Sequence, residues 1–267
     1  MSGNFTVILR HAFKITVFLL AAAAARLQAG GANTFLVLTY HDIPAMVQND
    51  NYAVDQASFI QQLEYMKNHG YSFISVNDIR LANAKKKNLP EKAILLTFDD
   101  AYKTFKDFVL PVLEAYNYPS LLAIETGWID NPPEDLPAPI MSWEELRAVS
   151  KSPLVEIASH TEDLHKSVVF NPHGSLGPAA AHLIYDKKSK QYETQAQYRK
   201  RIYTDLVKSK NKIKRMLNID TDILVWPYGK FSQIAIEEAK KAGYKITFNA
   251  EHLLAEAENI DSIPRIM

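Results

Sequence analysis

The chain has 267 residues, 47% apolar and 22% charged, which is enough for one sizeable buried core. Thirty basic and thirty acidic side chains cancel to a formal net charge of zero, so no basic excess invites nucleic acid and no acidic tail suggests a solvating segment. There is no cysteine, which excludes disulfides, thiolate metal sites, a cysteine nucleophile and a lipid anchor on an N-terminal cysteine; any metal must be held by His, Asp, Glu or backbone oxygen.

At the N-terminus, Arg10, His11 and Lys14 precede an apolar run from Ile15 to Ala25 that is short for a bilayer span. Small residues follow at Ala29-Gly30-Gly31. The pattern predicts a secretory signal peptide over residues 1–30, with a retained membrane anchor as the alternative. The folded part is then expected over residues 34–267, outside the cytoplasm.

Phe35–Tyr40 reads as a buried strand. Asp55 caps a helix predicted from Gln56 to Asn68 and stopped by Gly70, with Phe59, Leu63 and Met66 at helical spacing. A strand-like stretch (Tyr71–Val76), a short helix (Asn77–Ala84) and a solvated lysine turn at 85–87 follow. Ala93–Phe98 is the next strand, then a helix over Tyr102–Tyr116 and a strand over Ser120–Glu125. Beyond a proline-rich loop, Ser142 and Glu145 form a capping box for a helix ending near Val149. Leu154–Ala158 is a strand that stops at Ser159-His160, and Thr161–Gln191 reads as a long polar loop. A helix over Thr194–Leu217, a strand over Ile223–Trp226, a helix from Ser232 to Ala242 and a strand over Lys245–Phe248 complete the series, with Ser262–Ile266 as a further candidate strand.

Strand–helix alternation with nearly all-apolar strands predicts a parallel sheet covered by helices, an α/β fold. About seven or eight such units point to a barrel, and in barrels the groups just past the strand C-termini gather at one open face. His41, Asp99, Asp100, His160 and Tyr228 all occupy such positions.

Each of these has a plain structural reading beside a chemical one. Asp99-Asp100 could cap the following helix; alternatively one carboxylate binds a metal while the other acts as a base, since neighbours on a strand point opposite ways. His160 and His165 are five positions apart, which one helix face does not accommodate, but a loop leaving a strand could aim both imidazoles at one point. Two histidines with a carboxylate make a three-ligand set with open positions on the metal. His41 is either structural or a proton donor, with Asp42 orienting it or capping a turn. Trp226-Pro227-Tyr228-Gly229 is either an ordinary turn or a device that presents the Tyr228 N–H to an oxyanion.

Taken together, the motifs resemble the polysaccharide deacetylases, the family-four carbohydrate esterases. Thr97-Phe98-Asp99-Asp100 resembles their TFDDG motif, and Ser159-His160-Thr161-Glu162-Asp163-Leu164-His165 their H-[ST]-x-x-x-H motif. The order Tyr40-His41-Asp42, then these two, then Trp226-Pro227-Tyr228-Gly229 and the terminal Ser262–Ile266, is similar to the branch that N-deacetylates poly-β-1,6-N-acetyl-D-glucosamine in biofilm-forming bacteria. The resemblance covers roughly residues 34–267.

It implies a distorted (β/α) barrel of about seven strands. It implies Asp99 as general base, Asp100, His160 and His165 as ligands of one divalent cation (zinc, nickel, cobalt or iron), His41 as the acid and the Tyr228 N–H as oxyanion donor. Trp128 and Trp226 would stack on sugar faces, with core packing as the alternative. The implied substrate is an N-acetylglucosamine polymer and the implied location the periplasm, with secretion or the cell surface as alternatives and an outer-membrane export porin as a partner. Deacetylation of chitin oligomers or peptidoglycan is the rival of the same class, and a non-catalytic polysaccharide-binding module the rival of another. Two positions depart from the family pattern. Ala101 stands where glycine is usual, which is disfavoured if that position needs positive φ. Trp226 stands where many members have an arginine that orients the base, so Asp99 must find that partner elsewhere or lack it.

Overall fold

The computed structural model describes residues 33–48 and 50–267. The signal segment expected over residues 1–30 lies outside them. Among the described residues no helix is long and apolar enough to cross a membrane.

The sheet forms because its strands are apolar on both faces. β1 (Thr34–Tyr40), β3 (Ala93–Phe98) and β4 (Ser120–Ile124) bury nearly every residue. Their side chains alternate between two cores. Leu36, Leu38, Tyr40, Ile94, Leu96, Phe98, Leu122 and Ile124 pack outward on helices α1 (Gln56–Asn68), α3 (Leu110–Tyr116), α4 (Thr126–Asp130) and α5 (Trp143–Val149). Phe35, Val37, Leu95, Leu121 and Ala123 face the other way, joined by Val76, Ile79 and Ala82 of α2 (Val76–Asn83). Each fully buried Leu, Ile or Phe contributes about 2 kcal/mol of apolar burial.

Seven strands follow one another in the order β11-β10-β5-β4-β3-β1-β12, curled into a half-barrel. Here β5 is Val155–Ser159, β10 Ile223–Val225, β11 Ile246–Phe248 and β12 Ala255–Glu256. All pairings along this path are parallel except β12 on β1. The short β2 (Ser72–Phe73) pairs with the start of β3, where β4 has not yet begun. The segment after β12 bridges the two edges: Ile263 pairs with Phe248 and Ile266 with Leu38, both parallel. The expected last strand over Ser262–Ile266 is therefore two isolated bridges that stitch β11 to β1.

Three local differences from expectation have physical causes. The stretch 71–76 is strand only at 72–73, because Ser75 already caps α2 in a reciprocal box with Asp78. The helix expected from Tyr102 opens with a π-turn over Phe105–Val109 before α3; Pro111 has no N–H for the ordinary register, and the Leu110 N–H reaches back to the Phe105 carbonyl instead. The polar stretch 161–191 holds two hairpins. They pair β6 (Ser167–Val169) with β7 (Leu176–Pro178) and β8 (Tyr185–Asp186) with β9 (Gln191–Tyr192). Side chains of α6 (Gln195–Leu217) pin the segment between them. The Tyr198 hydroxyl donates to the Ala180 carbonyl, and Arg201 to the carbonyls of Ala179 and His182.

Candidate active site

The C-terminal ends of β1, β3, β5 and β10 open onto a cavity of about 630 Å³. Its lining includes His41, Asp99, Asp100, Trp128, His160, His165, Tyr228 and Arg265. Five strand-end groups named from sequence therefore converge, as the parallel topology requires.

Asp99 continues the face of β3 that turns into the barrel, its N–H donating to the Tyr40 carbonyl. The chain then leaves the strand: Asp100 and Ala101 both take left-handed backbone, at φ 67° and 59°. That turn defeats the alternation of the strand and lets both carboxylates face the same cavity. It also meets the condition set for Ala101. A residue with a Cβ holds a positive-φ position there, strained relative to glycine by about 1–2 kcal/mol. Its methyl is fully buried in the outer core.

Asp100, His160 and His165 each present one ligand atom, all within 4.8 Å of one another. The Nε2 atoms of both histidines lie 3.7 Å from Asp100 Oδ1. Those spacings are too long for hydrogen bonds. Among the described residues Asp100 Oδ1 is buried with no hydrogen-bond partner, an arrangement a folded protein rarely leaves unsatisfied. A cation shared by the three atoms resolves it, so the donor set fits a divalent metal that accepts imidazole and carboxylate.

The histidines are also in the right form. His160 Nδ1 lies 2.8 Å from the Val225 carbonyl, which can only accept, so Nδ1 carries the proton and Nε2 keeps its lone pair for the cavity. Burial pushes His160 down to about 3 and also lowers His165. Burial pushes Asp100 up to about 7 against the pull of His41. A bound cation reverses that tendency. His165 is braced between the rings of Trp128 and Tyr228, at 4.6 and 4.7 Å.

Asp99 is different. Burial pushes its carboxyl up, but Arg265, His160 and His41 together outweigh this and hold it well below the usual carboxylate range. Arg265 Nη1 donates to Asp99 Oδ1 at 2.8 Å, and Nε to the Asn249 carbonyl at 3.2 Å. The arginine is 1% exposed and comes from the segment that stitches the sheet edges together. It is the partner for Asp99 that Trp226 does not supply. The sequence hint was the missing arginine at position 226; the Ser262–Ile266 segment entered the resemblance, but no role was read for Arg265 within it.

His41 Nε2 stands 4.0 Å from Asp99 Oδ2, partly exposed to the cavity. Asp42 does not orient it. The Asp42 carboxylate accepts from the Thr104 hydroxyl at 2.6 Å, and that hydroxyl accepts from the Ile43 N–H, so this aspartate holds the turn after β1. Tyr228 sits in left-handed backbone at φ 57°, and the adjacent Gly229 is obligatory: a Cβ there would lie 2.2 Å from that of Ala250. Trp128 lines the cavity.

Trp226 does not. It is fully buried, packs on Phe231 and belongs to the core between α6 and α7 (Gln233–Lys241). The expectation that it stacks on a sugar is corrected: it offers no face to the cavity.

Comparisons with known proteins agree with this geometry. Residues 86–247, more than half of the chain, match the family model described as Polysaccharide deacetylase. The poly-β-1,6-N-acetyl-D-glucosamine N-deacetylase of Escherichia coli (strain K12) is 35% identical over 245 residues, covering 88% of this chain and 36% of the relative. The protein of that name from Staphylococcus aureus (strain MSSA476) is 27% identical, covering 81% and 68%. The chain thus spans about a third of the length of its E. coli relative. Among solved structures, a de-N-acetylase from Aggregatibacter actinomycetemcomitans superposes with a TM-score of 0.80 at 32% identity, covering 87% of this chain and 94% of that one. The deacetylase domain of BpsB from Bordetella bronchiseptica gives 0.78 at 31%, covering 88% and 95%. With its motifs gathered at one barrel mouth, and likeness of this extent in both sequence and fold, this chain belongs to the polysaccharide deacetylase family.

Proposed function

We propose that the chain, over residues 34–267, is a metal-dependent hydrolase that removes N-acetyl groups from poly-β-1,6-N-acetyl-D-glucosamine. The observation that carries the reading is the charged Asp99, locked by Arg265, beside a complete Asp100–His160–His165 ligand set in one cavity. The names of relatives at 35% and 27% identity favour the β-1,6 polymer.

A divalent cation on this triad would supply Lewis-acid polarisation of the acetyl carbonyl and of a water. The protein does the rest. Asp99 takes the proton from the attacking water, and Arg265 keeps it in the charged form that can accept one. The Tyr228 N–H donates to the developing oxyanion. His41 gives its proton to the departing amine, leaving a glucosamine unit and acetate. Trp128 offers an aromatic face to a sugar ring. Imidazole and carboxylate ligands suit zinc, nickel, cobalt or iron. Residues 1–30 serve as an export signal in this reading, placing the enzyme in the periplasm beside an outer-membrane export porin.

The test is acetate release from β-1,6 and β-1,4 N-acetylglucosamine oligomers, before and after chelation and with metals added back singly. Chelator-sensitive release from the β-1,6 oligomers is expected. Release from β-1,4 oligomers alone would point to chitin-like substrates or peptidoglycan, and no release under any condition would favour a binding module.

A further inference from the structure

The loop between His160 and His165 has no regular structure, yet it sets how the two imidazoles face Asp100. Its four successive N–H groups all donate to side-chain oxygens. Thr161 donates to Ser159 Oγ at 3.1 Å, and Leu164 to Thr161 Oγ1 at 3.2 Å. Glu162 and Asp163 donate to the two oxygens of one carboxylate, Asp205, at 3.0 and 2.8 Å. Of the three acceptor residues, only Asp205 lies outside the motif, on α6.

The loop needs such a hold. Thr161 sits at φ 83°, a strained position for a β-branched residue. Beneath it, the buried Glu125 accepts from the Thr161 hydroxyl at 2.7 Å, and the Glu162 carbonyl lies so close to Gly127 that a Cβ there would stand 2.0 Å from it. The loop is thus pressed onto Gly127 from one side and gripped by Asp205 through its amides.

We infer that Asp205 is a positioning residue for the metal site: by holding the Glu162 and Asp163 amides it fixes the turn that brings His165 back beside His160. It touches neither histidine and acts only through the loop. The inference rests on the reading of His160 and His165 as ligands. Outer partners that orient ligands commonly contribute 10–100-fold in metal affinity.

The experiment uses the full chain stripped of metal and titrated with Zn²⁺ against a chromophoric chelator, with the visible spectrum of the Co²⁺ form as a second readout. Asp205→Asn puts an amide NH₂ where one loop N–H expects an acceptor. Its Zn²⁺ affinity should fall at least about tenfold, with an altered Co²⁺ spectrum. Leu113→Ala, a core truncation in α3, should lower stability and leave both readouts unchanged. Wild-type affinity and spectrum in a folded Asp205→Asn variant would overturn the inference. If that variant does not fold, amide exchange of the metal-free wild type decides: slow exchange at Glu162 and Asp163 supports a preformed loop, and unprotected exchange overturns it. A wild-type protein that binds no metal would overturn the ligand reading itself, whereas wild-type binding with an unaffected Asp205→Asn overturns only this inference.

Discussion

Arg265→Met tests the proposed base, Asp99, most directly. The substitution keeps an unbranched apolar stem and removes the guanidinium 2.8 Å from Asp99 Oδ1. At an effective dielectric of about 20, the gross attraction over that distance is about 6 kcal/mol. Desolvation of both groups offsets part of it, and stranding one partner of a buried pair typically costs about 3–5 kcal/mol. Urea unfolding at neutral pH should show a loss of that size. The pH dependence gives the sign. In the wild type the Asp99 pKa is depressed, so the pair contributes stability that is present above the unfolded value of about 3.9 and is lost as pH falls through the folded one. The gap between wild type and variant should therefore narrow below about pH 4. Without the arginine, burial is left as the dominant influence and the Asp99 pKa rises, so the acidic limb of acetate release should move to higher pH. Asp99→Asn combined with Arg265→Met should be more stable than Arg265→Met alone, because no buried charge is stranded. Wild-type stability with an unmoved acidic limb, or strict additivity in the double variant, would refute the coupling.

Other substitutions separate chemistry from packing. Asp99→Asn should lower acetate release by about 10²-fold or more with metal content unchanged; wild-type turnover would remove Asp99 as the base. Trp128→Ala should raise KM several-fold with little loss of stability, whereas Trp226→Ala should lower stability by about 3–5 kcal/mol as a core cavity; the reverse pattern in steady-state kinetics and urea unfolding would refute the division. In Ala101→Gly, relief of about 1–2 kcal/mol of left-handed strain is offset by glycine's chain entropy and a lost methyl, so stability should move by less than about 1 kcal/mol; a larger shift in urea unfolding would contradict this. Burial holds Glu125 well above the usual carboxylate range despite its bond from Thr161. A raised folded pKa gives stability that is full below the unfolded value, about 4.3, and is lost as pH rises through the folded one. Glu125→Gln should therefore gain on the wild type as pH rises above about 4.3, and a gap that does not change with rising pH would refute it.

The parts of the site that were legible in the sequence are those set locally. An all-apolar run ends, a polar group follows, and parallel topology carries that group to the barrel mouth; this placed His41, Asp99 and His160, while their roles came from the family resemblance. The absence of cysteine and a spacing no helix face accommodates opened a metal reading for Asp100 and His165, and the resemblance supplied the ligand set. The hairpins between 167 and 192 were illegible because strands of two or three residues leave no periodicity, and because their anchors, Tyr198 and Arg201, sit on the next helix. Trp226 was ambiguous because an aromatic residue at a strand end is equally at home in the core or on a sugar; only its burial by Phe231 and α7 decides.

The groups that tune the site rather than form it were the least legible, and the reason is distance along the chain. Arg265 reaches Asp99 across 166 positions, and Asp205 reaches the ligand loop across 42 and 43. In sequence one is an arginine in the Ser262–Ile266 segment and the other an acid on a charged helix face. What makes each consequential is a placement that only the curled sheet creates. Closure brings the segment after β12 between β11 and β1, from where the Arg265 side chain reaches the C-terminal end of β3, and α6 holds the loop that leaves β5. The same closure explains how position 226 can carry tryptophan. Once the guanidinium arrives from the C-terminal stitch, an arginine at the end of β10 has no charge left to neutralise, and the position reverts to core packing. The buried carboxylate and its counter-ion therefore belong to different levels of the fold: Asp99 to the end of a strand, Arg265 to the closing of the barrel.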